Sequence, residues 1–229
     1  MKTFRIGGVH PAENKLSAAE PIKVAELPQV AVFPMGQHIG APALPCVQKG
    51  DKVKVGTQIG TPMEKALSTS SFSSVSGTVL KVDTVVDASG YKKPAVYITV
   101  EGDEWEEGID RSDKLVTLAD KPELTPEAII EKVKNAGIVG MGGACFPTHV
   151  KLMPPPQFKP EWVIINAVEC EPYLTADHRL MLEKADEVLV GVELLMKAAK
   201  VTKGFMGIEE NKPDAIKLMT EKCAAQHPN

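Results

Sequence analysis

Short alternating runs dominate the first hundred residues. PQVAVFPM, DKVKVGTQIG, VSGTVLKVD and PAVYITVEG place apolar side chains at or near every second position, with glycine turns between them. That period predicts half-buried β-strands. Near residue 103 the pattern changes. An acidic stretch, EGDEWEEGIDRSDK, gives way to segments with helical spacing. The pattern therefore predicts a β-rich domain over 1–103, an acidic connector over 104–121 and a domain of alternating helix and strand over 122–229.

In LTPEAIIEKVKNAG, Thr125 suits a helix N-cap and Pro126 the first helical position. Ile129, Ile130 and Val133 form the apolar stripe, and Gly137 stands where a C-terminal capping glycine belongs. EWVIINAV is a continuous apolar run that reads as a buried, parallel strand. ADEVLVGVELLMKAAK puts Val188, Leu189, Val192, Leu195 and Met196 at helical spacing, with Asp186 as its cap. VTKGFMGIEE predicts another strand and KPDAIKLMTEKC another helix. Strand alternating with helix points to an open α/β sheet.

Composition narrows the function. A formal net charge of −4 leaves no basic footprint for nucleic acid. No run approaches the roughly 20 apolar residues that cross a bilayer, and MKTFRIGGVHP turns to glycine and proline before an apolar segment like that of a signal peptide could form. A cytoplasmic protein is the default expectation. Cys46, Cys145, Cys170 and Cys223 are widely spaced and never form Cys-x-x-Cys, so neither a zinc ribbon nor an iron–sulfur site is read from them, and no metal ligands are predicted.

In the first half, VQKGDKVKVGTQIG and SSVSGTVLKV resemble the barrel-sandwich hybrid of biotinyl and lipoyl carrier domains. That likeness would put Lys65 near a hairpin tip, 15 residues after Gly50 and 12 before Gly77. TPMEKALS lacks the Met-Lys-Met or Asp-Lys-Ala setting of a modified lysine, which favours a rigid adaptor with an exposed lysine.

Two stretches carry candidate chemistry. GIVGMGGACFPTHVK is dense in glycine (Gly137, Gly140, Gly142, Gly143), so its backbone either turns tightly or lies close against something, a phosphate or another piece of protein. INAVECEP puts Asn166, Glu169 and Glu171 just past a strand, where polar groups at a sheet's carboxyl end meet ligands.

Taken together, GMGGACFPTHVK and INAVECEPYLTADHR resemble the flavin- and NADH-binding subunit of respiratory complex I. GGVHPAENK, FPMGQHIGAPALPCVQKGDKVKVGTQIG and GIEENKPDAI are similar to the C-subunit family of the Rnf electron-transport complex. The resemblance implies a peripheral, NADH-facing subunit on the cytoplasmic face of a membrane complex that couples NADH–ferredoxin electron exchange to ion movement. Its partners would be the other Rnf membrane subunits, NADH and, indirectly, ferredoxin. By the same likeness Gly140, Gly142 and Gly143 would line the phosphate and ribityl chain of FMN. Lys151, Asn166 and Glu169 would match further cofactor contacts, with Phe146 and Glu171 on the NADH side. Three positions depart from the complex I pattern: Met141 replaces an arginine, Cys145 the loop's last glycine and Val168 an aspartate.

The family's further flavin segment and its ferredoxin-like region, with two 4Fe-4S clusters, have no counterpart in these residues. The chain thus reads as the N-terminal part of a longer protein, inactive toward NADH by itself. A docking module without a cofactor, a carrier modified on Lys65 and a thiol enzyme pairing Cys145 with His149 are the rival readings.

Overall fold

A computed structural model describes residues 11–226. The Gly7–His10 part of the GGVHPAENK motif lies outside the described residues. The chain divides into two compact units that do not follow its order. Among the described residues, one comprises Ala25–Lys114 and Glu127–Met153; the other comprises 11–24, Leu115–Pro126 and 154–226.

The first unit is antiparallel β. Its strands are β1 (Val30–Pro34), β2 (Leu44–Pro45), β3 (Lys52–Val53), β4 (Gln58–Thr61), β5 (Ser71–Phe72), β6 (Ser76–Val86) and β7 (Lys92–Gly102). One sheet has the order β1-β7-β6-β3, the other β2-β4-β5. Between them lies a core in which Met35, Ile59, Val79, Val96 and Ile98 are fully buried. Each such side chain contributes about 1.5–3 kcal/mol through removal from water. Two small sheets around one core make the expected barrel-sandwich hybrid.

Helix α1 (Pro126–Asn135) starts on the expected proline and buries Ile129. It ends in a Schellman motif. The N–H of Ile138 reaches the carbonyl of Val133 at 3.2 Å, and that of Gly137 reaches Lys134 at 3.1 Å. Gly137 takes the left-handed φ of +65°, and a Cβ there would stand 2.6 Å from the carbonyl oxygen of Ser70. Close packing on the barrel thus reinforces the capping requirement. The one-turn helix α2 (Thr148–Lys151) follows.

The second unit holds β8 (Val163–Ala167), α3 (Ala176–Glu183), α4 (Ala185–Ala199), β9 (Gly204–Ile208) and α5 (Pro213–Gln226). Strands β8 and β9 pair in parallel, as expected. The strand is not buried on both faces, however. Ala167, Met206 and Ile208 join a core with Met181, Ala185, Leu189, Ala215 and Met219. Alternate residues face outward, with Ile164 67% exposed and Phe205, 53% exposed, meeting Trp162 edge-on. The apolar run therefore behaves with period two, one face against helices and one face open. Asp186 is also not a cap. It sits inside the first turn of α4 behind Lys184, and its carboxylate accepts from the Lys222 ammonium at 2.6 Å. Helix α3 was not legible as a helix, being short and only moderately amphipathic.

Candidate functional site

The glycine loop belongs to the barrel unit. Its base is closed by a bridge between Val139 and Pro147, with the N–H of Gly140 donating to Phe146 (2.9 Å) and that of Thr148 to Ile138 (3.0 Å). Pro147 is buried beneath it and Phe146 half-buried, while Met141, Gly142, Gly143 and Ala144 stand exposed. A Cβ at Gly142 or Gly143 would meet no described atom within 4 Å. The tip of the loop therefore does not lie against protein, and packing does not require glycine at 142. At Gly140 the situation differs: a Cβ would come 2.7 Å from the Lys151 ammonium, which hangs over the loop's base.

A cleft of ≈ 280 Å³ opens beside the loop, with Gln37, His38, Thr69, Phe72, Met141 and Cys145 among its walls. His38 is buried. Its Nδ1 lies 3.2 Å from the carbonyl of Ile39, and its Nε2 accepts the Thr69 N–H at 3.4 Å, which fixes the Nδ1–H tautomer. His38 falls within the FPMGQHIGAP motif, yet nothing in its spacing assigned it a role.

Other candidates find different settings. His149 is buried and its Nδ1 has no partner among the described residues. Burial, and secondarily the charge of Lys134, holds its pKa below the ordinary histidine value. No hydrogen bond pairs it with Cys145 among the described residues, which leaves the thiol-enzyme reading without geometry. Lys65 is exposed with φ +57° between β4 and β5, and its loop is tied back by the Ala41 N–H donating to Leu67 (2.8 Å).

The acidic loop lies in the other unit, between β8 and α3. Asn166 is exposed, and its Oδ1 accepts the N–H of Val168 at 3.2 Å, an Asx turn. Glu169, left-handed at φ +53°, is only 9% exposed. Its carboxylate accepts the N–H of Asp177 (2.7 Å) and of His178 (3.2 Å), so it caps the N-terminus of α3. Thr175, the helix's own N-cap residue, makes no capping bond. Glu171 is exposed. Asp177 is held above the usual aspartate range, first by burial and then by the charges of Glu169 and Glu171. Buried Lys212 donates to the carbonyl of Val168 (2.8 Å) and to Glu209 and Asn211 (3.0 Å each).

Residues 2–103 match the family described as the RnfC barrel sandwich hybrid domain, and residues 133–229 match the Nuo51 FMN-binding domain. The chain therefore carries an RnfC barrel sandwich hybrid domain followed by a Nuo51-type FMN-binding domain. It is similar to the C subunit of the proton-translocating ferredoxin:NAD(+) oxidoreductase complex of Clostridium ljungdahlii (46% identical, covering 96% of this chain and 47% of that protein). The Na(+)-translocating counterpart of Acetobacterium woodii is also 46% identical, over 96% of this chain and 48% of its own length. The C subunit of the ion-translocating oxidoreductase complex of Pseudomonas aeruginosa is 39% identical over 90% of this chain and 26% of its own length. This chain spans about half the length of the first two. Among the described residues no helix is long and apolar enough to cross a membrane, and no cluster of three or more His, Cys, Asp or Glu could hold a metal ion.

Within these two domains, the fit to FMN differs between segments. The open, side-chain-free tip at Gly142–Gly143 and the overhanging Lys151 ammonium suit an anionic, phosphate-bearing group. Glu169 suits it less, because both its carboxylate oxygens serve α3. Cys145 carries a conformational cost, holding φ +49° where the complex I pattern has glycine. A left-handed L-residue loses about 1–2 kcal/mol. Cys145→Gly is therefore expected to raise stability by about 1 kcal/mol after the added flexibility of glycine is counted. The urea midpoint would rise without a change in slope. A lower midpoint would mean that contacts of the thiol outweigh the backbone strain.

Proposed function

We propose that this chain is part of a peripheral, NADH-facing subunit of an Rnf-type complex, where it helps hold FMN while electrons pass between NADH and ferredoxin and ions are moved. The relatives named for ferredoxin:NAD(+) oxidoreduction support the reaction class. The observation that carries the assignment to this chain is the exposed Gly142–Gly143 tip, a backbone surface that no described atom fills, on a loop whose base at Gly140 lies under the Lys151 ammonium. Bound there, FMN would supply two-electron acceptance from NADH and one-electron release.

Each segment has its own role in this reading. Gly140, Gly142 and Gly143 present backbone to the phosphate and ribityl chain, Lys151 offsets phosphate charge, and Phe146 offers an aromatic face at the NADH side. In the other unit Asn166 and Glu171 contribute polar contacts, while Glu169 shapes the loop that carries them. The barrel serves as a rigid adaptor, with Lys65 unmodified. The protein sits on the cytoplasmic face of its membrane against the other Rnf subunits, and two 4Fe-4S clusters belong to sequence outside these residues.

The test sets the full-length subunit against residues 1–229. The full-length protein is expected to purify with FMN that NADH bleaches. Residues 1–229 alone are expected to be colourless and to leave NADH-dependent ferricyanide reduction at background, because hydride transfer tolerates little misplacement beyond the near-attack distance of about 3–3.5 Å. A full-length subunit that retains no flavin would overturn the reading. Turnover by residues 1–229 would overturn its claim that they form only part of the site.

A further inference from the structure

The acidic loop is organised around a cation supplied by a residue far away in sequence. Lys15, in the segment preceding the barrel, sends its ammonium into the loop and donates to the carbonyls of Glu169, Glu171 and Leu174, each at 2.8 Å. All three N–H donors of the ammonium are thereby used. Glu169 (φ +53°) and Tyr173 (φ +69°) take left-handed conformations within the stretch those carbonyls span. Three converging carbonyl oxygens are the donor set with which proteins replace the water around a monovalent ion. Their 2.8 Å reach is too long for calcium, held at about 2.3–2.6 Å, or magnesium, at about 2.0–2.1 Å.

The neighbouring contacts keep Lys15 in place. The Tyr173 N–H donates to the carbonyl of Glu13 (2.9 Å), and the Ser17 and Thr175 hydroxyls meet at 2.7 Å. Further along, Arg179 donates to the carbonyl of Ala18 (3.2 Å), and Glu183 accepts the Ile22 N–H (3.0 Å). The segment is thus laced along α3 on both sides of the loop's end. Ordinary anchoring would need only those bonds; the focus of three carbonyls is additional.

We propose that Lys15 is a positioning residue acting as a tethered monovalent cation: it fixes the path of the acidic loop and so the stance of the exposed Glu171. Its link to cofactor binding rests on the proposed function of that loop. A neutral side chain at 15 would leave three carbonyls pointing at one another, and the loop would open. A guanidinium would not replace the ammonium, since its planar fork cannot meet three converging acceptors at one point.

The experiment uses the full-length, flavin-loaded subunit with Lys15→Met and Lys15→Arg. Hydrogen exchange of the loop and the start of α3 is followed in lithium, potassium, ammonium and tetramethylammonium chloride at equal ionic strength. Lys15→Met is expected to speed exchange there roughly tenfold while the rest of the unit stays protected. Potassium and ammonium should restore protection, and lithium and tetramethylammonium should not. NADH affinity should fall and recover with the same ions. Lys15→Arg should loosen the loop without cation rescue, and it decides the matter if Lys15→Met fails to fold. Unchanged exchange, uniform loosening of the unit, or equal effects of all four cations would overturn the proposal. A loop that loosens and is rescued while flavin and NADH affinity hold constant would support the tethered cation and overturn the loop's assigned role in binding.

Discussion

Glu169→Ala is expected to destabilise this chain by about 2–3 kcal/mol, the largest stability effect foreseen for any single change in its candidate site. The reason is positional. The carboxylate is buried and satisfies two of the orphan N–H groups at the start of α3, those of Asp177 and His178. Removing it strands both donors and withdraws a negative charge from the positive end of the helix. Neighbouring Thr175 cannot take over without moving, since its hydroxyl already pairs with that of Ser17. Glu169→Gln keeps one acceptor oxygen and should lose about half as much. Urea denaturation checks both values. If Glu169→Ala leaves the midpoint in place but abolishes flavin binding, the residue is a ligand first and a cap second.

This residue also shows how far the sequence could be read. INAVECEP announced a polar loop after a strand, and the strand is there, but which acid does what depends on α3. That helix is eight residues long, with a weak apolar stripe that the tertiary core completes through Met181. Local pattern was strong where an element carried its own signals. The Schellman glycine at 137 and the Pro126 start of α1 are examples, as are the alternating strands that enclose Met35, Ile59 and Ile98. It was weak where a partner lies far along the chain. Lys15 reaches the acidic loop across 154 residues, Lys222 claims Asp186 from another helix, and His38 is fixed by the Thr69 backbone. In each case the geometry belongs to tertiary contacts that no spacing rule encodes. The exposure of Ile164 and Phe205 is a related case, since an apolar run records what a strand can bury and not how many of its faces are covered.

Gly142→Val in the full-length subunit is expected to weaken FMN binding by about 100-fold while leaving the melting temperature unchanged. Stability should hold because of the loop itself. Gly142 is outside the left-handed region and exposed, and a Cβ there would meet nothing within 4 Å, so the fold leaves room for a side chain at this position. A surface substitution of this kind ordinarily moves stability by no more than about 0.5 kcal/mol. The loss of affinity follows from what the open tip can do. Backbone N–H groups that approach an anionic phosphate make hydrogen bonds worth about 1.5–3 kcal/mol each. Valine's two methyl groups would hold the phosphate off this surface, and losing one or two such bonds, about 3 kcal/mol, corresponds to about 100-fold in affinity. Gly140→Ala is a sterically different control: its Cβ would press on the Lys151 ammonium at 2.7 Å, so a flexible side chain must shift and both flavin binding and stability should respond. Flavin fluorescence titration paired with thermal melting separates the cases. Full flavin affinity in a folded Gly142→Val protein would remove the glycine tip from the site and leave the barrel unit as a docking module.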